Sequence, residues 1–366
     1  MPRPLALLAV LSLSMAAFAQ TRPLRLGVAG LTHTHVHWLL GRPDRGDVEI
    51  VGIAEPNRPL ARRYTEQHGL SMDIVYSSLE EMIAATAPEA VAAFGTIREH
   101  VDVVEACAPR GIHVMVEKPL ATDLPDAERM AALAREHGVA LLTNYETTWY
   151  PSVDRAAALV DSGAIGALRK AVVRDGHRGP RAIGVNEEFL AWLTDPAEAG
   201  AGALTDFGCY GANLATWLLG GARPRSVTAL TQQLQPGEYP AVDDDATILL
   251  AYDSLNVTIQ ASWNWPIGRK DLELYGTTGV LLADDGQTLR LREAVGYDGY
   301  DETTVALAPQ PAPRDDPFAL LAAVVRGELT LEPHDRSALE NNLLVVAILD
   351  AARRSAAEGV RVELGE

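Results

Sequence analysis

Cysteine is nearly absent: Cys107 and Cys209 are the only two in 366 residues. Two thiols so far apart support neither a disulfide scaffold nor a cysteine-rich zinc site. Positive charge is also scarce, with 31 lysines and arginines against 49 acids and a formal net charge of −18. Such a chain repels phosphate backbones and anionic lipid, so no nucleic-acid partner is expected and anionic membrane is a poor one. No solenoid-length repeat and no low-complexity tract interrupts the sequence. The one long apolar run, Leu5 to Ala19, falls short of the roughly 20 residues of a membrane span, and no membrane insertion is expected. What remains is a chain long enough for ample core and two domains of about 150 residues each.

The first residues, "MPRPLALLAVLSLSMAAFAQ", combine one early cation, Arg3, an apolar run and small residues at Ala17 and Ala19. That is the pattern of a secretory leader spanning residues 1–19, cleaved after Ala19. No cysteine follows the cleavage point and no arginine pair precedes the run. The expected route is Sec-like, and the expected location is the periplasm or the medium.

From Leu24 onward, short β-rich runs ("LRLGVA", "VEIVGIAE", "AVAAF", "IHVMVE", "VALLTN") alternate with helical stretches. Ser78 and Glu81 stand at capping-box spacing, while Gly69, Gly111 and Gly138 close helices. This alternation predicts a doubly wound parallel sheet over residues 22–148. Ligands of such sheets bind beyond the carboxyl ends of the strands. After Pro151 come two helical stretches, Ser152–Ser162 and Ala203–Leu219, then strands in close succession and a long terminal helix ending at Gly359. Residues 149–366 are therefore expected to form an α+β domain with an open, mostly antiparallel sheet, leaving a cleft between the domains.

Chemistry-bearing residues cluster at the predicted strand ends. "GVAGLTHTHVHW" follows the first strand, where a phosphate-cradling glycine loop belongs, yet three histidines crowd it. Glu55 ends the second strand, 25 residues after Gly30, the place of an acid that grips ribose hydroxyls and repels a 2′-phosphate. Lys118, in "VEKP", ends the fifth strand. Asp206, Tyr210 and Asn213 recur at helical spacing.

The ordered set "VEKPLA", "GAGALTDFGCYGAN", "YGTTGVL" and "SALENNLLVVAILDAARRSA" resembles the glucose–fructose oxidoreductase, inositol dehydrogenase and rhizopine-catabolism (Gfo/Idh/MocA) family, from about Leu24 to the C-terminus. The resemblance implies a Rossmann domain, a C-terminal α/β domain with an open sheet, a bound NAD with NADP left open, and homo-oligomers, dimeric or tetrameric. It also implies catalysis by Lys118, Asp206 and Tyr210. The cofactor set it implies is Gly30, Thr32, His33, His35, Glu55, Gly95, Thr96, His100, Glu117 and Lys118. Departures are visible: Thr32 and His35 stand where the family's second and third glycines would be, and Glu146 and Thr148 replace an asparagine and an arginine before "WYP".

The expected reaction is hydride transfer at a carbinol carbon of a sugar or sugar derivative, with Tyr210 exchanging the hydroxyl proton under the influence of the Lys118 cation. Trp149, Tyr150, His177, Asn213 and Lys270 are the candidate substrate contacts. Three other readings stand beside it: a glycosidase or lyase working by oxidation, elimination and reduction, a catalytically silent sugar- or cofactor-binding protein, and a metal-dependent amidohydrolase. The last draws on His-x-His after a first strand, but it needs ligands on later strands that the remaining histidines do not supply. No metal is expected.

Overall fold

The computed structural model describes residues 22–365; the expected leader, residues 1–19, lies outside them. Six strands form the first sheet: β1 Leu24–Ala29, β2 Val48–Ala54, β3 Val75–Tyr76, β4 Ala90–Ala93, β5 His113–Glu117 and β6 Leu141–Asn144. They run parallel in the order β3-β2-β1-β4-β5-β6. The chain reverses direction across the sheet between β1 and β4, and this switch point opens a crevice at the carboxyl ends. Strands β4 and β6 are buried along their whole length, as both faces of a parallel sheet require.

Local signals act where expected, with one shift. Ser78 accepts from the Glu81 backbone N–H at 3.2 Å, but the Glu81 carboxylate returns to Ser77 N–H rather than to Ser78. Gly69 and Gly138 end their helices in the left-handed region.

The second sheet holds nine strands: β7 Lys170–Gly176, β8 Ser226–Gln232, β9 Asp245–Ala251, β10 Asn256–Ser262, β11 Arg269–Tyr275, β12 Gly279–Asp285, β13 Thr288–Val295, β14 Gly299–Thr304 and β15 Val362–Glu363. Their order is β14-β13-β12-β11-β7-β10-β9-β8-β15, and only β7 and β10 pair in parallel. In β9, Ala246, Ile248 and Leu250 turn inward beneath helices Gly208–Leu218 and Leu339–Glu358, while Leu249 faces out. Gly211 lets the first of these helices sit close on the sheet, since a Cβ there would lie 2.5 Å from Ile259.

Two features differ from expectation. The stretch Ala203–Leu219 is not one helix: Ala203–Asp206 and Gly208–Leu218 are separated at Phe207. The Asp243 carboxylate accepts from Gly202 N–H (2.9 Å) and Leu204 N–H (2.7 Å), which fixes the first turn to the loop before β9. The second difference is that the C-terminal half is not self-contained. Helix Pro317–Val325 returns to the first domain, where Phe318 and Leu321 pack with Leu26, Leu39 and Phe94. Arg42 ties the return in place by bonding Asp47 and Asp316.

Candidate active site

Gly30 turns the chain out of β1 with φ +78°, and a Cβ there would lie 2.7 Å from Gly95 N. Only glycine satisfies both the left-handed backbone and that approach. Glu55, buried at the end of β2, accepts from Leu31 N–H (2.9 Å) and Asn57 N–H (2.7 Å), and so ties the β1 and β2 loops together. Burial raises its pKa against these two bonds. A cavity of about 430 Å³ opens along these loops, walled by Gly30, Thr32, Glu55, Gly95 and His100 among others. Thr32 Oγ1 has no partner, a free hydroxyl where the lost glycine would have offered only backbone. The groove fits a dinucleotide: Gly30 and Gly95 line it without side chains, the unpartnered Thr32 hydroxyl is buried beside it, and the Glu55 oxygens retain lone pairs for hydroxyls. Glu80, Glu99 and Asp102 also line it, adding negative charge that disfavours a 2′-phosphate.

The histidines of the loop take other tasks. His33 is buried edge-on against Phe189 (4.9 Å between ring centres) and lies near Trp192, while its Nδ1 accepts from His35 N–H. It anchors the loop to the second domain's helix Glu187–Leu193. His35 stacks on Trp38 and meets Glu117 Oε2 through Nδ1 at 2.8 Å; Glu117 Oε1 in turn accepts from Asn144 (2.7 Å). Burial, then Lys118 and Lys270, push the His35 pKa down to about 3. One donor atom each of His33, His35 and Glu117 lies within 4.8 Å of the others. Only His35 and Glu117 bond each other through these atoms; His33 Nδ1 accepts the His35 backbone N–H and His33 Nε2 has no partner, and no fourth histidine, cysteine or carboxylate joins the group among the described residues. His100 bonds the Leu120 carbonyl through Nδ1 at 3.2 Å, and burial lowers its pKa to about 4. The Thr96 hydroxyl goes to Glu198 at 2.8 Å, so this loop too is held by the second domain.

At the reaction end, Lys118 follows β5 and precedes a cis peptide to Pro119. Its Nζ donates to Asp206 Oδ1 (2.5 Å) and to the Asp206 carbonyl (3.1 Å). Trp263 Nε1 donates to Asp206 Oδ2 at 3.0 Å. Burial opposes both charges, yet the pair overrides it: the Lys118 pKa rises and the Asp206 pKa falls. Lys118 Nζ lies 5.3 Å and Lys270 Nζ 5.0 Å from the centre of the Tyr210 ring. Lys270, on β11, pairs with Glu146, and the Tyr150 hydroxyl donates to the same carboxylate at 2.5 Å. His177, beyond β7, stands edge-on to Phe207 at 4.9 Å, kept neutral mainly by burial.

Three expectations are corrected. Tyr210 is not acidified by Lys118: burial first, then Glu146 and Asp175, push its pKa well above the usual range, because Asp206 already compensates the lysine charge. Asn213 does not face the cleft; fully buried, it donates to the Arg336 carbonyl (2.8 Å) and to Asn342 (3.4 Å), joining helix Gly208–Leu218 to the terminal helix. Trp149 donates to Asn144 at 3.1 Å and packs on the first domain's core, and the Tyr150 ring lies over Gly286. Both therefore support the site's carboxylates and amides instead of standing free. Two further residues belong to the site beyond those expected from the sequence. Trp263 orients Asp206. Asp175, two positions before His177, interrupts the apolar inward face of β7, and that interruption was the available signal.

Comparison with known proteins agrees with this geometry. Residues 24–145 match the NAD-binding Rossmann domain of the Gfo/Idh/MocA oxidoreductases, and residues 153–282 match a C-terminal domain of the same family. Trans-1,2-dihydrobenzene-1,2-diol dehydrogenase of Xenopus tropicalis is 26% identical over 64% of this chain and 67% of its own length. The Bos taurus enzyme is 29% identical over 63% of this chain and 64% of its own. The matched part thus spans about two thirds of these relatives. GenD2 from gentamicin A biosynthesis, solved with NAD, superposes with a TM-score of 0.75 at 25% identity, covering 95% of this chain and 98% of that one. Aldose–aldose oxidoreductase from Caulobacter crescentus shares the fold with a TM-score of 0.76 at 21% identity, over 94% and 100% of the two chains. The chain belongs to the Gfo/Idh/MocA family of NAD-binding oxidoreductases, enzymes that act on CH–OH groups.

Proposed function

We propose that this oxidoreductase interconverts a carbinol and a carbonyl on a sugar or sugar derivative held between the two domains. One observation carries the reading: Lys118, at the end of a strand bordering the dinucleotide groove, meets Asp206 and Tyr210 of the second domain. When bound, NAD supplies the acceptor or donor for hydride. The chain's own residues handle the oxygen and its proton. Lys118, kept cationic by Asp206, holds the substrate oxygen and stabilises negative charge developing on it. Tyr210, kept protonated by burial and neighbouring acids, donates a hydrogen bond and, in the reducing direction, a proton to that oxygen. Trp263 and Asp206 fix the lysine. Names of relatives favour the substrate class, since one acts between aldoses and others on a cyclic diol.

The leader read in residues 1–19 adds a constraint. Outside the cytoplasm little free NAD is available, so the cofactor would remain bound and the hydride would return to a second sugar, or to the same one. The test is incubation of purified protein with a panel of sugars, polyols and glycosides, first without and then with added NAD. Turnover without added cofactor, with paired oxidised and reduced products, supports retention. Dependence on stoichiometric NAD defeats retention but keeps the oxidoreductase reading, whereas failure to bind NAD or NADP defeats both.

A further inference from the structure

We propose that Asp175 is a specificity-determining residue that accepts hydroxyl donors of an uncharged, hydroxyl-rich substrate, and that the site rejects anionic sugars. This deepens the proposed function and rests on it. Asp175 closes the inward face of β7 and is 1% exposed, yet neither carboxyl oxygen has a hydrogen-bond partner. An orphaned buried carboxyl is among the costlier groups a fold can hold. Its neighbours are those of the reaction site. Lys270 stands directly across the β7–β11 ladder, a separation of about 5 Å between Cβ atoms. Burial first, then the charges of Lys270, Glu146, Lys118 and Asp206, act on it, and the net effect pushes its pKa well up while no donor reaches it. Hydroxyls donating to its oxygens would favour the carboxylate that burial disfavours.

The charge inventory gives the ligand class. Both lysines of the site are already paired, Lys118 with Asp206 and Lys270 with Glu146. His35 and His177 are held neutral by burial. None of these lysines and imidazoles is left as a free cation for a uronate or a sugar phosphate, whereas Asp175 has two oxygens that lack donors. Two adjacent hydroxyls of a sugar ring supply that pattern of donors. A site with buried polar groups awaiting partners discriminates strongly against a ligand that leaves them unpaired.

The test measures binding without turnover. Calorimetry on NADH-loaded protein compares D-glucose, D-galactose and myo-inositol with D-glucuronate, D-galacturonate and an inositol monophosphate. The expected result is binding of at least one neutral probe, with its anionic partner weaker by at least about tenfold. Asp175→Asn is isosteric and relieves a buried acid, so it should keep or raise the melting temperature and leave NADH affinity unchanged. It should weaken the neutral probe by about tenfold or more. Asp175→Ala should do the same and should also erase the distinction between that probe and its deoxy analogues. A purely structural role would instead lower the melting temperature of Asp175→Asn. Equal or tighter binding of the anionic partners, unchanged affinity in Asp175→Asn, or no binding of any neutral probe overturns the proposal. Binding as described with no hydride transfer overturns only the reaction.

Discussion

At the scale of single residues, the site is one in which pairing decides protonation. Tyr210→Phe removes one hydroxyl and little volume. Turnover is expected to fall by about 10²–10⁴-fold, the usual worth of a positioned proton donor, with NAD affinity and melting temperature unchanged; near-normal turnover would move the proton role to Lys118. Lys118→Met has a second consequence. It strands Asp206, which is buried and keeps only Trp263 as a side-chain partner. Breaking one side of a buried pair costs about 3–5 kcal/mol, so this variant should lose stability as well as activity. Lys118→Met combined with Asp206→Asn should recover most of the stability and none of the turnover. If chemical denaturation finds the single and double variants equally stable, the pair does not carry the electrostatics assigned to it. The buried His100 imidazole adds a pH effect. Its folded pKa of about 4 lies below the ordinary value of 6.5, so the unfolded chain takes up the proton first. The associated stability is complete above about pH 6.5 and is lost as pH falls towards 4, on the order of 3 kcal/mol in all. Melting temperature against pH should therefore show a shallower acid limb in His100→Gln, and parallel limbs would refute the assignment.

Among the elements, legibility follows how local the cause is. Strand alternation, the capping serine at Ser78 and the closing glycines act within a few residues, and they read correctly from the sequence. The break at Phe207 was hidden because its cause is distant: Asp243, before β9, seizes the backbone of Gly202 and Leu204. Asn213 misled for a related reason, since helical spacing gives a shared face but not the neighbour on it, here Arg336 and Asn342. The loop after β1 shows both regimes. Gly30 was legible as the turn residue, whereas the packing of His33 on Phe189 depends on a helix about 150 residues away. Gly30→Ala tests the turn. The added methyl would meet the Gly95 backbone at 2.7–2.8 Å in an unfavourable φ region, so the loop must shift. NAD affinity should fall by at least about tenfold, with a smaller loss of stability. Unaltered NAD affinity in Gly30→Ala would show that the cofactor does not approach this loop.

On the scale of the whole molecule, among the described residues helices cover one face of the second sheet and leave the other bare. The apolar run "ATILLAY" does not make that face hydrophobic, because Ala246, Ile248 and Leu250 point into the core and only alternate residues of β9 face out. What the bare face does present is a small apolar patch within a polar surround. Leu230 is 62% exposed and Leu249 41%, and the pairings Leu230 with Thr247 and Thr228 with Leu249 make the two leucines diagonal neighbours across β8 and β9. On the same sheet Arg174 bonds Gln260 and Glu273, a rim able to exchange hydrogen bonds with a second copy. A polar face with a compact apolar centre suits a two-fold pairing of identical sheets. The expected state is a dimer at micromolar concentration, joined through this face. Leu249→Arg should place like charges at the symmetric contact and shift light scattering towards monomer, while NAD affinity and melting temperature of the isolated fold stay unchanged. A native chain that scatters only as a monomer at that concentration would refute the pairing. A dimer indifferent to Leu249→Arg would place the contact on another surface, and the bare sheet would then be solvated, as its alternating polar residues permit.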